Sequence, residues 1–224
     1  MASVEWKERQ EEYHMKEAFR MIRTNLRFCG KDRKVIAVTS CIPEEGKSTV
    51  TVSLARALQD DGAKVVVVDA DLRKSGMYRQ LAVRGSHSGL SEFLSGQCGL
   101  EKVMLRSEKD GIWVILSGRV PPNPTELFRT ETFSQLICTL REQFDYVLLD
   151  TPPIGLVIDA AVVSESCDGI LWVIESGKIH TRTVLETRRQ LERCSCPVLG
   201  AVLNKVKNDR SGYYGSKYYG EYYG

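Results

Sequence analysis

Short apolar runs alternate with amphipathic stretches between residues 34 and 205. Six of these runs have the length of a β-strand and are apolar at consecutive positions. They are residues 35–38, 65–68, 112–115, 146–149, 170–174 and 198–203. Continuous apolarity is typical of strands that are covered on both faces, as in a parallel sheet with crossover helices. The pattern predicts an α/β fold, a three-layer α/β/α sandwich with a mainly parallel sheet and ligands at the carboxyl ends of the strands.

Two segments lie outside this alternation. Near the amino end, apolar residues recur at spacings of four, three and four, which predicts a helix over about residues 6–28 with one apolar stripe. The stripe consists of Met15, Phe19, Ile22 and Leu26. Residues 208–224 have no periodic apolar face, so packing would not offset the loss of chain entropy. We therefore expect one domain over residues 1–207 and a flexible tail over residues 208–224.

Composition narrows the classes of function. The 31 Lys and Arg residues nearly balance the 29 Asp and Glu residues, and we expect no nucleic-acid partner. No run approaches the ~18 apolar residues of a membrane span, and the charged amino end lacks the apolar core of a signal peptide, so a cytoplasmic chain is expected. The seven cysteines include no CxxC pair and are interpreted as reduced, structural thiols.

A candidate phosphate-binding loop follows the first predicted strand and leads into a helical stretch. It reads Pro43-Glu44-Glu45-Gly46-Lys47-Ser48-Thr49, and we predict that these seven residues bind ATP. Gly46 lets the backbone approach a phosphate, Lys47 would reach the terminal phosphates, and the Ser48 hydroxyl would ligate Mg²⁺. The usual motif GxxxxGK[ST] begins with glycine where this chain has Cys41, so the loop is a divergent form.

Carboxylates follow two other predicted strands. Asp69 and Asp71 come after the second strand, and Asp150 comes after the fourth. Because the carboxyl ends of parallel strands meet at one edge of a sheet, we expect these carboxylates to join Lys47 and Ser48 in a catalytic Mg²⁺ site. A single Asp in such a place is more often a turn or a helix cap, and only the combination favours chemistry.

Three further residues near the predicted site have two interpretations each. Arg73 and Lys74 either contact phosphate or only solvate the next loop. Asn204, at the end of the last predicted strand, either hydrogen-bonds an adenine edge or ends the strand in a turn. We prefer the adenine-binding interpretation for Asn204.

Tyrosines are concentrated at the carboxyl end. Six of the nine lie in the last twelve residues: Tyr213, Tyr214, Tyr218, Tyr219, Tyr222 and Tyr223. One interpretation is a low-complexity tail that stacks on itself or on a partner. Beside an ATP site, each hydroxyl is also a candidate phosphoryl acceptor. At roughly 3.3 Å per residue the extended tail spans about 56 Å, which reaches a neighbouring subunit.

The amino-terminal helix carries a charged set beside its apolar stripe. Glu17, Arg20 and Arg23 lie at i, i+3 and i+6. Solvated ion pairs on the helix surface are the simpler interpretation. The alternative interpretation is functional: the three residues would lie at an interface between subunits.

Taken together, these motifs resemble the bacterial tyrosine kinases that control capsule and exopolysaccharide synthesis, over nearly the whole chain. The resemblance is carried by the divergent loop, the Glu-x-x-Arg-x-x-Arg set, the sequence from Val67 to Arg73, the segment Pro122-Asn123-Pro124-Thr125-Glu126-Leu127, the strand that ends in Asp150, and the terminal tyrosines. It implies a P-loop NTPase of the divergent-Walker, MinD/ParA-like kind. It also implies an ATP-dependent tyrosine autokinase that phosphorylates the tails of neighbouring subunits and regulates polysaccharide polymerisation and export.

The resemblance further implies roles and partners. Ser48, Asp71 and Asp150 would hold Mg²⁺, and Asp69, or else Asp71, would accept the tyrosine proton. Glu17, Arg20 and Arg23 would lie at the interface of a homo-oligomeric ring such as an octamer. A transmembrane polysaccharide copolymerase would activate the kinase and recruit it to the inner face of the plasma membrane, a tyrosine phosphatase would oppose it, and other protein substrates are expected. The chain resembles the separate cytoplasmic form of this kinase, or else the kinase part of a longer protein whose membrane part lies elsewhere.

Two competing functions remain open at this stage. A partitioning or positioning ATPase of the same fold would hydrolyse ATP, but such proteins carry a second lysine early in the loop, where this chain has Ile42. A non-catalytic interaction protein locked by nucleotide would not need Lys47, Ser48 and three carboxylates together.

Overall fold

The structure is a computed structural model that describes residues 3–6, 13–30, 32–84 and 87–206. Its strands are β1 (Ser3–Trp6), β2 (Val35–Ser40), β3 (Val65–Asp69), β4 (Leu81–Arg84), β5 (Met104–Arg106), β6 (Trp113–Ile115), β7 (Tyr146–Asp150), β8 (Gly169–Glu175) and β9 (Val198–Asn204). Its α-helices are α1 (Tyr13–Phe28), α2 (Lys47–Gln59), α3 (Leu90–Leu94), α4 (Pro124–Phe128), α5 (Glu131–Gln143), α6 (Asp159–Ser164) and α7 (Thr181–Leu191). Short 3₁₀ helices lie at Met77–Arg79 and Leu100–Lys102. The tail and its six tyrosines fall outside the described residues.

Seven strands form the main sheet, in the order β5-β6-β3-β7-β2-β8-β9. The six predicted strands are all present, and every pair among them that is hydrogen-bonded is parallel. The edge strand β5 was not predicted and runs antiparallel to β6. It is only three residues long and is buried at one of them, so it gives no periodic signal.

Apolar side chains cover both faces of this sheet, as the continuous apolar runs predict. On one face, Ile36, Leu148 and Leu171 pack in the cluster that includes α1 and α2. On the other face, Val147 and Leu149 pack with α5, and Ile170 packs near the end of α7. Helices therefore lie on both sides, and the predicted three-layer α/β/α architecture is confirmed.

Within the described residues the amino-terminal helix is Tyr13–Phe28, and its predicted start near residue 6 is wrong, because Trp6 lies in a strand. Residues 3–6 instead form β1, which pairs antiparallel with β4 in a separate two-stranded sheet. The physical reason is the alternation of buried Val4 and Trp6 around exposed Glu5, a period of two that fits a strand.

The predicted apolar stripe is confirmed and docks on the same subunit. Phe19 and Leu26 are buried, and Met15 and Ile22 pack partly buried against the cluster that contains α2. The stripe is therefore part of the core of this chain.

Replacing Phe19 by alanine should lower the free energy of unfolding by about 3 kcal/mol, because a buried aromatic ring is lost and a cavity remains. Urea unfolding measures this directly. Met21 lies on the same helix but is 60% exposed, and Met21→Ala should change stability by less than about 0.5 kcal/mol. Equal losses in the two variants would show that the stripe does not hold α1 on the domain.

Among the residues that the structure describes, no helix is both long and apolar enough to cross a membrane. All seven cysteines are free thiols, and Cys41 and Cys196 are buried.

Candidate nucleotide-binding and catalytic site

The candidate phosphate loop connects β2 to α2 at the carboxyl edge of the sheet. Gly46, the residue before α2, has a φ of 91°, a left-handed conformation that glycine adopts without strain. A Cβ atom on Gly46 would lie 2.3 Å from Nδ2 of Asn204, so a side chain is also excluded by space. The first N–H groups of α2 have no partner within the helix and provide the electropositive end that binds phosphate.

Glu45 stabilises this loop from inside. Its side chain is completely buried and accepts hydrogen bonds from the backbone N–H of Ile42, at 2.7 Å, and of Glu175, at 2.9 Å. The carboxylate therefore joins the loop to the end of β8. With both oxygens engaged by backbone, any contact of Glu45 with nucleotide would have to come from its main chain.

Replacing Glu45 by glutamine should cost about 2 kcal/mol of stability, because the amide NH₂ would face a buried backbone donor. Thermal unfolding of the two matched variants Glu45→Gln and Glu44→Gln would measure the effect. Glu44 is exposed, so its variant should unfold as the wild type does. A Glu45→Gln protein as stable as Glu44→Gln would refute the bracing role.

The end of β9 also supports the loop. Asn204 Nδ2 donates to the carbonyl oxygen of Glu45 at 2.8 Å, and Lys205 Nζ donates to the carbonyl oxygen of Glu44 at 2.7 Å. In this structure Asn204 thus holds the phosphate loop. Its predicted contact with adenine stays a prediction.

The structure brings the predicted lysine and aspartates together. Lys47 Nζ lies 3.2 Å from Asp71 Oδ2 and 4.0 Å from Asp150 Oδ1. Asp69 is the direct cross-strand neighbour of Asp150 in the parallel pair β3 and β7. Burial lowers the pKa of Lys47, but the charges of Asp150 and Asp71 outweigh burial and raise it, so the ammonium stays charged.

Asp69 is the carboxylate whose proton affinity suits acid–base chemistry. Complete burial and the charge of Asp150 raise its pKa from 3.8 to about 7. The Ser75 hydroxyl donates to Oδ2 and the backbone N–H of Asp71 donates to Oδ1 at 3.3 Å, which keeps the carboxylate oriented. A carboxylate with a pKa near 7 gains and releases a proton readily at neutral pH.

Asp150 is buried and lacks donors. Neither of its oxygens accepts a hydrogen bond from the described residues. Burial raises its pKa, although the charge of Lys47 and the nearby Ser48 hydroxyl oppose the rise. A buried carboxylate without a donor is rare and needs an explanation, and a bound cation is one that fits.

The side chains present fit a magnesium ion bound together with nucleotide. Asp71 and Asp150 offer oxygens beside the buried Ser48 hydroxyl, and Mg²⁺ in such sites takes its remaining ligands from phosphate and water. No group of three His, Cys, Asp or Glu side chains among the described residues is arranged to hold a metal ion by itself. The donor set therefore suits a metal that arrives with ATP.

Comparison with known proteins places the chain in a family. The model of the AAA domain family matches residues 33–181. Tyrosine-protein kinase CpsD of Streptococcus agalactiae is 41% identical over 206 residues, which cover 92% of this chain and 89% of that protein. The chain belongs to the AAA domain family and to the bacterial tyrosine-protein kinases. The resemblance stated from the sequence is thereby confirmed.

Solved structures agree with this family. The kinase domain of Escherichia coli tyrosine kinase Etk superposes on this kinase with a TM-score of 0.81 and 34% identity, over 91% of this chain and 80% of that chain. The septum site-determining protein MinD of Pyrococcus horikoshii, solved with Mg-ADP, has a TM-score of 0.63 and 23% identity, over 76% of this chain and 69% of that chain. The second likeness concerns the fold alone and confirms the predicted P-loop architecture.

Sequence reasoning missed part of the site. Arg73 forms a bidentate ion pair with Asp159, with Nε to Oδ2 at 2.6 Å and Nη2 to Oδ1 at 3.1 Å. Thr125 donates to Asp159 Oδ1 at 2.5 Å, and Lys74 donates its backbone N–H to Asp71 Oδ1 at 3.0 Å. Thr125 lies in the segment from Pro122 to Leu127 that carries the family resemblance, which is the one signal that marks it.

The three charged residues of α1, Glu17, Arg20 and Arg23, make two different kinds of contact. Glu17 and Arg20 form an exposed ion pair, as the simpler interpretation expects. Arg23 instead donates to the carbonyl oxygen of Ala57 at 3.1 Å and lies 3.3 Å from Asp61, so it also ties α1 to α2 within the subunit. The interface role of the three residues stays a prediction.

Proposed function

We propose that this member of the bacterial tyrosine-protein kinases is an ATP-dependent autokinase that phosphorylates the carboxy-terminal tyrosines of neighbouring copies. The acceptors are Tyr213, Tyr214, Tyr218, Tyr219, Tyr222 and Tyr223. The observation that carries the proposal is the convergence of Lys47 with Asp71 and Asp150, at 3.2 Å and 4.0 Å, beside Asp69 with its pKa of about 7.

The proposed chemistry is a single transfer. A tyrosine oxygen attacks the γ-phosphorus of ATP, a new oxygen–phosphorus bond forms, and the bond from the γ-phosphorus to the bridging oxygen breaks, which releases ADP. Asp69 takes the tyrosine proton, and its pKa near 7 lets it pass that proton to water afterwards. Lys47 stabilises negative charge on the γ-phosphoryl group. The products are ADP, phosphotyrosine and a proton.

ATP and Mg²⁺ are the proposed ligands. Residues Pro43 to Thr49 would hold the phosphates, Asn204 the adenine, and Ser48, Asp71 and Asp150 the metal. Bound Mg²⁺ would neutralise charge on the phosphate oxygens. The buried, donor-free carboxylate of Asp150 supports this assignment.

Assembly belongs to the same proposal. Residues 1–207 would act as the kinase domain and form a homo-oligomeric ring, such as an octamer, through α1. The exposed Glu17–Arg20 pair supports this, as do two apolar side chains of α1 outside the buried stripe, Met21 at 60% exposed and Phe28 at 83%. A transmembrane copolymerase would activate the kinase at the inner face of the membrane, a tyrosine phosphatase would reverse its action, and capsule or exopolysaccharide export would be the regulated process.

Labelled ATP with Mg²⁺ tests the activity directly. Wild-type protein is compared with a variant in which all six tail tyrosines are changed to phenylalanine. The proposal expects label on the wild type only, with mass spectrometry placing phosphate on the tail. Phosphate release with no labelled protein, also after addition of the activator's cytoplasmic tail, would contradict the kinase and favour an ATPase.

A further inference from the structure

Arg73 is held in one orientation by contacts from two other segments of the cleft. Asp159, the first residue of α6, accepts hydrogen bonds from Arg73 Nε at 2.6 Å and from Arg73 Nη2 at 3.1 Å. The Thr125 hydroxyl of α4 accepts a hydrogen bond from Arg73 Nη2 at 3.3 Å and donates one to Asp159 at 2.5 Å. The Asp159 side chain is 1% exposed, whereas that of Arg73 is 41% exposed. A buried carboxylate thus fixes one edge of a guanidinium whose remainder reaches solvent.

This arrangement lies against the catalytic groups. Arg73 follows Asp71 by two residues, and the loop continues directly onto the phosphate site. Ser75 donates to Asp69, and a Cβ atom on Gly76 would lie 2.5 Å from the Ser48 hydroxyl. The hydrogen bonds that Arg73 donates to Asp159, together with the charges of Asp159 and Asp71, raise the pKa of Arg73. The loop that carries Arg73 therefore forms one wall of the site.

The contact with Asp159 leaves part of the guanidinium available. It uses Nε and Nη2, and Nη1 takes no part in it. A planar guanidinium that is already oriented binds phosphate oxygens without a further loss of side-chain freedom. Lys47 already forms ion pairs with Asp71 and Asp150. A second cation, on the wall formed by the loop of Arg73, would therefore be available to bind the oxygens of an incoming phosphoryl group.

We propose that Arg73 binds the phosphoryl group on the acceptor side of the site, during its transfer and in the phosphotyrosine product, and that Asp159 and Thr125 are positioning residues for it. This inference rests on the proposed tyrosine kinase function. It also gives a role to the segment from Pro122 to Leu127, whose Thr125 reaches Asp159 across 34 positions of the sequence.

A mixing experiment with two full-length proteins isolates the role of Arg73. The donor has six phenylalanines in its tail, and the acceptor carries Lys47→Met with an intact tail. Arg73→Gln in the donor should lower the initial rate of acceptor labelling by about 10²-fold, as for other lost transition-state donors. The same change in the acceptor should leave the rate unaltered, and Arg73→Lys in the donor should recover part of it.

Controls separate this role from a purely structural one. Fluorescent ATP should bind the Arg73→Gln donor within twofold of the unsubstituted donor, because the defect lies in transfer. Thr125→Val should lower the rate less than Arg73→Gln does. A donor with Arg73→Gln that transfers within twofold of its parent, or that loses transfer only in proportion to ATP binding, would overturn the inference while the kinase function stands. If the parent donor transferred no phosphate at all, the proposed kinase function itself would be contradicted.

A binding measurement gives a second, independent test. Phenyl phosphate, in the presence of ADP and Mg²⁺, probes the product site of full-length protein by calorimetry. The inference expects its affinity to fall about tenfold in Arg73→Gln and less in Arg73→Lys. Equal affinities for the wild type and both variants would rule out phosphate binding by Arg73.

Discussion

Replacing Lys47 by methionine is expected to reduce tyrosine phosphorylation by about 10³-fold, because in the proposed mechanism its ammonium would contact the terminal phosphates, and it balances the surrounding carboxylates. Methionine is one atom shorter than lysine, is also unbranched, and removes the charge. In the folded protein Nζ lies 3.2 Å from Asp71 and 4.0 Å from Asp150, so its ammonium faces both carboxylates. Phosphotyrosine formed per minute from labelled ATP is the quantity to measure.

The matched control for this variant is Lys102→Met, which removes a lysine from an exposed position. Copies of this variant should phosphorylate one another's tails at the wild-type rate. Lys47→Met should also unfold more easily, because Asp71 and Asp150 lose their buried partner. Transfer by Lys47→Met within tenfold of the wild type would exclude Lys47 as the cation of the site.

Replacing Asp69 by asparagine should lower the transfer rate by about 10²-fold, the usual contribution of a general base. In the wild type kcat/KM for ATP should rise with pH and level off above about 7, because this ratio reports the pKa values of the free protein, where that of Asp69 is about 7. The Asp69→Asn variant should lack this step. A residual rate that keeps the same rise would mean that another group is the base.

The same substitution should stabilise the protein at higher pH. The folded pKa of Asp69, about 7, lies above the ordinary value of 3.8, so the folded state binds more protons between these values. The contribution of Asp69 to stability is therefore present below the unfolded pKa and is lost as pH rises through the folded one.

Unfolding without metal or nucleotide measures this shift. Asp69→Asn should gain about 2 kcal/mol relative to wild type between about pH 5 and about pH 8. Asp32→Asn, at an exposed position, should follow the wild type over this range. A variant that lost stability with rising pH as the wild type does would show that Asp69 is already ionised at low pH.

The central part of the fold could be predicted from local pattern. Val65 to Val68 is apolar at every position, and this alone implies a strand covered on both faces. Since strands of a parallel sheet share their carboxyl edge, the convergence of Asp69, Asp71 and Asp150 also followed from sequence. These predictions needed no long-range contact.

What the sequence concealed depends on pairs of distant residues. Glu45 stands among polar loop residues and reads as exposed, yet one of its buried oxygens binds the backbone of Glu175, 130 positions away. Arg73 and Asp159 are separated by 86 positions. Taken singly in the sequence, Arg73 resembles a solvated surface charge and Asp159 resembles the start of a helix. The predicted start of α1 near residue 6 was wrong because residues 7–12 are all charged or polar and contain no glycine or proline that would mark a boundary, whereas buried Trp6 belongs to a strand.

The central claim is that this kinase phosphorylates the tail of another copy, and one measurement tests it most directly. The donor with six tail phenylalanines is mixed with the Lys47→Met acceptor and labelled ATP, and label on each protein is followed over time. We predict phosphotyrosine on the acceptor tail only in the mixture, at a rate that rises with donor concentration. Release of phosphate at the wild-type rate with no label on the acceptor would contradict the claim.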